Sequence, residues 1–353
     1  MRKLVMAGAA LCCVPVYAQT SNLTLYGIID LGVRRASGLT AGNAPGSGST
    51  SSLASGADNT SRWGIRGRAN LGGGLEASFA LESGIAVDTG APLNSTKYFD
   101  RASWLGLSGS WGTLTAGRQI VLLADSVVAV DPLGLRFAGI NPNIVTSALN
   151  AHGLGIEFGS TSSTTSSYRL DNSLKYVNTV GRLTFSAMYG FGEASGSTSS
   201  LSSKGAGVQY SHAGLTVSGA YQTFRAADTR ELDGYVAGAA YRIGSWRLAA
   251  SAARSQGDTT ATTKTKQRVY SAGATWSATT AVDLTAAAYE LRRDRTGLVD
   301  DGYLRLIAFG EYKLSKRSKL FAEVDTTRWR RGYQGAANRS RANGITIGIG
   351  HSF

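Results

Sequence analysis

Few residues in this chain have the types and spacing to do bond-making chemistry. The three histidines, His152, His212 and His351, stand far apart, and no Gly-x-Ser-x-Gly nucleophile motif occurs. No His/Cys/Asp/Glu spacing resembles a metal-ligand cluster, and the two cysteines, Cys12 and Cys13, both lie in an apolar N-terminal segment. These features point away from an enzyme and imply no cofactor. What stands out is a charge bias. Between Ile120 and Ser167 the chain carries Asp125, Asp131 and Glu157 against one base, Arg136, although the whole chain has a net charge of +13. Acids gathered on one segment of a basic chain can face bases across a narrow wet gap. Low-dielectric walls focus the transverse field such rows create. That chemistry is electrostatic filtering.

The elements that must position such a gap read as short strands. From residue 22 the dominant period is two. Leu23, Leu25 and Gly27 oppose Thr24 and Tyr26; Trp63 and Ile65 oppose Arg62, Gly64, Arg66 and Arg68. Leu75, Ala77, Phe79 and Leu81 alternate with Glu76, Ser78, Ala80 and Glu82, after a tight turn at Leu71-Gly-Gly-Gly74. The same unit recurs at 182–189, 215–222, 235–243, 270–276 and 345–353. Clean alternation marks a sheet with a different solvent on each face. The stretch 37–58, rich in Gly, Ser and Ala, reads as a mobile loop. The 120–167 insert does not alternate, and a structureless insert of that length is improbable in a compact domain unless it is functional. It reads as a loop folded into a barrel lumen.

Connections alternate between short and long. Seven short turns, near 71–74, 109–112, 178–181, 212–214, 244–245, 278–281 and 315–318, imply about sixteen up-and-down strands of membrane-spanning length. A soluble sandwich, or a secreted carbohydrate-binding β-domain, would also alternate. Four features favour a barrel: Gly/Ser/Thr-rich polar faces, aromatics near strand ends (Tyr26, Tyr189, Tyr241, Trp246, Tyr312, Phe353), turn lengths that alternate throughout, and an aromatic last residue. Closure also pairs every backbone donor and acceptor without water.

The first 18 residues read as a secretory signal, with Arg2 and Lys3 ahead of an apolar core and Val16-Tyr17-Ala18 as the cleavage site. Removing two bases lowers the net charge from +13 to +11 and leaves 34 bases against 23 acids. The bases are scattered through alternating strands without a dense patch or a recognised motif, so no nucleic-acid partner is expected. They suit a pore lining, or loops facing anionic lipopolysaccharide.

At Leu23-Thr-Leu-Tyr-Gly27, Ser61-Arg-Trp-Gly-Ile-Arg-Gly67, Leu81-Glu-Ser-Gly84, Gly112-Thr-Leu-Thr-Ala-Gly-Arg-Gln119, Asn172-Ser-Leu-Lys-Tyr176, Leu314-Ser-Lys-Arg317 and the terminal Phe353, the chain resembles the Gram-negative general porins, in particular their β-proteobacterial branch. The resemblance implies a 16-stranded antiparallel transmembrane β-barrel with an inward-folded constriction loop. It further implies an outer-membrane homotrimer passing ions and small hydrophilic solutes, and a barrel-assembly machinery that reads Phe353. By position it assigns Asp125 and Asp131 to the acidic side of the constriction, and Arg62, Arg101, Arg118 and Arg169 to the basic wall. Alternation supports Arg62 as lumenal, and Arg101 with Ser103, since Trp104 then faces out. Asp131, just before Pro132, equally suits a turn. Ile28 and Arg136 depart from the family's charge pattern. The base excess suggests a weak anion preference. The alternative is a substrate-specific channel for a sugar or an anion; a sugar track would need aromatics, and the insert has only Phe137 and Phe158.

Overall fold

The computed structural model describes residues 21–353 except 41, 145–167, 229, 259–261 and 296. The expected signal segment, Glu157 and Phe158 therefore lie outside the described residues. Sixteen antiparallel strands close into a barrel. They are β1 (Ser21–Leu39), β2 in two segments (Pro45–Ser55 and Arg62–Gly72), β3 (Leu75–Ala86), β4 (Ala102–Gly109), β5 (Gly112–Ile120), β6 (Arg169–Val180), β7 (Leu183–Gly190) and β8 (Ser203–His212). The second half comprises β9 (Leu215–Arg225), β10 (Glu231–Ile243), β11 (Trp246–Asp258), β12 (Lys264–Ser277), β13 (Val282–Arg295), β14 (Leu298–Lys313), β15 (Ser318–Arg330) and β16 (Arg341–Ser352). Each strand pairs with its sequence neighbour, and β1 pairs with β16 from Ile28↔Ser352 to Ser37↔Asn343. Gly27 and Phe353 exchange both backbone hydrogen bonds, at 3.2 and 3.1 Å, so the last residue completes the ring.

The alternation seen in sequence is the alternation of the wall. Leu23, Leu25, Ile347 and Ile349 face outward and are exposed, whereas Ser251, Ser271, Thr285 and Thr346 face inward. Tyr189, Tyr241, Trp246, Tyr312 and Phe353 lie on the outer surface, and Trp246 stacks on Trp276 at 5.8 Å. Tyr26 does not belong to that outer girdle. It shares the polar face of β1 and donates its hydroxyl to Glu82 at 3.0 Å inside the lumen.

Two further expectations change. The 37–58 stretch is largely a hairpin, not a mobile loop: β1 runs to Leu39, and Pro45–Ser55 pairs back onto it. Glycine and serine suffice there because a ladder needs only backbone groups, and Pro45 sits at the first strand position, where its missing N–H costs nothing. Residues 56–61 then leave the ladder between the pairs Leu31↔Ser55 and Ile28↔Arg62. The second change lies in the insert. Its described part is not structureless: Leu122–Val130 forms a nine-residue helix, α1.

The helix is inside the barrel. Leu122, Leu123 and Val127 pack with Phe224, Leu232, Val236 and Ala253 of the inner wall. The wall makes room for it with glycine. A Cβ on Gly234 would stand 2.4 Å from Leu123 Cδ1, and one on Gly238 would stand 2.6 Å from both Val130 Cγ2 and the Ala250 carbonyl. Beyond α1 the chain continues along the wall, where Leu133, Phe137 and Ile140 pack with Tyr289, Ile307, Phe309 and Phe321.

Asp131 holds this second stretch together. Its carboxylate accepts from the backbone N–H of Leu133 (3.0 Å) and Leu135 (2.8 Å), from the amides of Asn141 (3.1 Å) and Asn143 (2.6 Å), and from the Tyr289 hydroxyl (3.1 Å). Arg247 caps the carbonyls of Ala129 and Asp131 at 3.1 and 3.2 Å. Leu135 and Phe137 have φ of +58° and +54°, a left-handed conformation that side-chain-bearing residues adopt only when their surroundings enforce it. Arg136 then clamps the loop to Asp58 at 2.6 and 3.0 Å and to Glu311 at 2.6 Å. The 56–61 excursion of β2 is thus a clasp for the loop.

Two outcomes test this packing. Gly238→Val pushes α1 off the wall into the open part of the lumen, so single-channel conductance in a planar bilayer falls while the β-rich circular dichroism spectrum is retained. Asp131→Ala removes the shared acceptor of five hydrogen bonds, each hydrogen bond to a charge being worth about 1.5–3 kcal/mol. Its expected effect is a lower midpoint of unfolding in urea and a noisier open-channel current.

Candidate functional site: the lumenal constriction

Because α1 and its continuation cover the inner wall from β9 to β15, the open part of the lumen lies against β1–β6. Among the described residues, two cavities there border the charged wall. One, of 490 Å³, is bounded by inward residues of β1–β6, among them Tyr26, Arg66, Glu82, Thr115, Lys175 and Val177. The other, of 170 Å³, lies between the β2 excursion and the helix, bounded by Asp58, Asn59, Thr60, Arg62, Val128 and Leu135. Arg101, Ile120, Asp125 and Arg169 line both. Those four side chains therefore stand where the two cavities adjoin.

The basic wall is built around Glu82. Its carboxylate takes Arg101 Nε at 2.7 Å and Arg62 Nε at 3.5 Å, and a Tyr26 hydrogen bond on the same side. Arg62 also donates to the Thr60 carbonyl at 3.1 Å and keeps 24% of its side chain open to the gap. Arg169 is buried, donates through Nε to the Arg101 carbonyl, and lies over the Tyr168 ring at 4.5 Å. Guanidinium groups tolerate this crowding because they stay charged when packed face to face with aromatic rings and with one another. On the loop side, Asp125 leaves 41% of its side chain open and binds Lys175 Nζ at 2.6 Å; Lys175 also donates to the Ile120 carbonyl at 2.9 Å.

Electrostatics follow from this enclosure. Although its side chain is partly open, Asp125 sits deep in the narrow lumen, and the loss of water there raises its carboxyl above the usual carboxylate range; Lys175 and Arg169 oppose the shift without cancelling it. Asp58 shows the opposite balance. Burial would raise it, but the Arg136 guanidinium and Lys319 outweigh burial and lower it.

Of the six residues expected at the constriction, Arg62, Arg101, Arg169 and Asp125 are brought together at the gap. Arg118 and Asp131 are not. Arg118 lines neither cavity: it shares the side of β5 that carries outward-facing Leu114, opposite the lumenal Thr113, Thr115 and Gln119, and there it donates to the Asp100 carbonyl at 2.6 Å and meets Asp171. Asp131 is 0% exposed and serves as the loop's internal acceptor, the turn role its position before Pro132 allows. The route to Arg101 also differs. Leu105 and Leu107 face outward, so Trp104 faces the lumen and Ser103 faces out, the reverse of the expectation. Arg101 reaches the gap because it precedes the strand. Its N–H bonds the Glu82 carbonyl at 3.1 Å, and its side chain turns in free of the strand's alternation. Glu82 and Lys175 went unassigned, although both sit on polar faces of alternating segments quoted above. Phe137, the described aromatic of the insert, is buried against Phe309 at 4.8 Å and offers no track to a sugar.

The whole chain is similar in fold to solved porins. The anion-selective porin from Comamonas acidovorans superposes with a TM-score of 0.78 over 94% of this chain and 100% of its own, at 23% identity. OmpF of Salmonella typhi gives 0.63 over 94% and 97%, at 16% identity. In sequence, an outer membrane porin protein of Bordetella pertussis is 36% identical over 160 residues, 42% of each chain. The outer membrane porin protein 32 of Delftia acidovorans is 35% identical over 132 residues, 37% of this chain and 35% of its own. Each of these curated relatives is thus matched over less than half its length. The Gram-negative porin family matches residues 4–332, nearly the full barrel, and the chain belongs to that family.

Proposed function

We propose that this protein is a general diffusion porin of the bacterial outer membrane, passing ions and small hydrophilic solutes through a water-filled lumen with a preference for anions. One observation carries the reading. Both lumenal cavities are lined by Arg101 and Arg169 from the wall together with Asp125 from the loop, so opposed charges face each other across the open lumen. A solute crossing there exchanges bulk water for a field fixed by the protein, which orders dipoles and sorts ions by sign. The preference follows from a count. Six bases line the two cavities (Arg62, Arg66, Arg68, Arg101, Arg169 and Lys175) against three acids (Asp58, Glu82 and Asp125), an excess of three positive charges.

The assembly expected from the family, a homotrimer, is proposed on the same footing; a trimer form is described for the structural neighbour OmpT of Vibrio cholerae. Cleavage after Ala18 and recognition of Phe353 by the barrel-assembly machinery complete the proposed export route. Contact with lipopolysaccharide suits the outer face near the long loops. There Arg254, Arg268, Arg292 and Arg330 occupy one cross-strand row through Gly302.

Reversal potentials under a KCl gradient test the filter. Arg62→Gln removes a charge more open than its neighbours Arg101 and Arg169. With about 1 kcal/mol for a unit charge 4 Å away in water, the chloride-to-potassium permeability ratio falls about fivefold. An unchanged ratio removes Arg62 from the passage. Acidification works in the opposite direction. Because the Asp125 carboxyl is raised, it takes up its proton at a higher pH than an ordinary aspartate. Chloride selectivity therefore rises as the pH is lowered through that titration, and Asp125→Asn abolishes the rise.

A further inference from the structure

The two sides of the 170 Å³ cavity differ in chemistry as well as in charge. Facing Arg62 across it, α1 presents Val128, 42% exposed, while Leu122, Leu123, Val127 and Val130 are buried on the wall side. Asp125 and Val128 are three residues apart and share one face of the helix. Lys175 ties the Asp125 carboxylate on the side of the larger cavity. Leu135 continues the apolar surface beyond Val128 and also lines the 170 Å³ cavity. Its place is fixed, since its N–H is bound by the enclosed Asp131 at 2.8 Å. The opposite side is guanidinium: Arg62 open to the gap, with Arg101 and Arg169 packed behind it. This cavity is therefore guanidinium on one side and, beyond the Lys175-bound Asp125, hydrocarbon on the other.

We infer that this constriction selects small carboxylates carrying a compact apolar body, with the carboxylate on Arg62 and the hydrocarbon against Val128 and Leu135. The inference rests on the pore reading above and names the solute class the pore favours. Chloride or acetate can use only the cationic side. A longer aliphatic carboxylate uses both, and each methylene taken out of water is worth about fourfold in occupancy. A purely steric, charged hole orders the same anions the other way, because longer chains diffuse more slowly and fit less readily.

The test uses the full-length protein in a planar bilayer with KCl on both sides, and potassium acetate, butyrate or hexanoate added. The readout is the concentration of each that halves the chloride current. The expected result is a half-blocking concentration that falls several-fold from acetate to butyrate and again to hexanoate. In Val128→Ser this chain-length dependence is lost. In Val128→Ile, which keeps the hydrocarbon contact, it persists. In Arg62→Gln all three acids block less well by a similar factor. A half-blocking concentration independent of chain length, or a dependence that survives Val128→Ser, overturns the inference while leaving the pore intact. Absence of any chloride current in the unmodified protein would instead overturn the pore reading itself.

Discussion

A strand that crosses a hydrocarbon layer has no water to satisfy its N–H and C=O groups, so each must find a partner in the protein. That requirement governs everything else in this molecule. It forces the sheet to close, which happens when β1 meets β16 and Gly27 meets Phe353. Closure commits the backbone groups to the wall and leaves side chains to serve two unlike solvents. Hence Leu, Ile and aromatic residues face outward and Ser, Thr, Arg and Glu face inward. A ring of sixteen strands encloses more space than its own inward side chains fill. The lumen must then be furnished by something other than wall, and the segment after β5 furnishes it.

How that segment is held explains why the water path is lopsided. Apolar contact fixes α1 to one side, at glycines that let the helix backbone come close. Polar contact fixes the continuation: Asp131 gathers five donors within the loop and wall, and Arg136 reaches across to the β2 clasp. Neither device faces the open passage. The charges that do face it, Arg62 and Asp125, are each partly neutralised by Glu82 and Lys175, so the field there is a residual of larger opposed terms. Small changes in one member can therefore shift selectivity without disturbing the fold.

Much of this was legible from residue order. Period-two alternation, seven tight turns and the non-alternating insert give the strand number, the two ends of the barrel and the place of the loop. The helix was not legible. Val121 offers no capping side chain, and the run Leu122–Val130 is short and rich in β-branched valine; its stability comes from the wall it packs against, which no local pattern records. Asp131 and Arg118 lie away from the gap for different reasons. An acid's charge can be read from its letter, but whether five donors converge on it cannot. Arg118 keeps the alternation of β5, on the side of Leu114 and opposite Thr115 and Gln119, whereas its place in the chain beside the insert suggests the wall. Trp104 shows the same limit, since size and apolarity suggested lipid and the ladder with Ala80 puts it in the lumen.

The pairing of Gly27 with Phe353 brings the first and last strands together at the turn end of the barrel. The other strand pairings join consecutive strands, mostly through short turns; this one joins residues at opposite ends of the sequence. Its entropic penalty grows only slowly with that separation, by about 0.6 kcal/mol per doubling of loop length, so the seam burdens the route to the barrel more than its final stability. Until the last strand arrives, β1 carries an unsatisfied edge, and any escort of the unfinished ring has to shield that edge. Once the ring is shut, the position of the chain break has little bearing on the architecture. A circularly permuted chain, joined across this seam and opened at a long loop such as 331–340, retains every neighbour relation in the sheet.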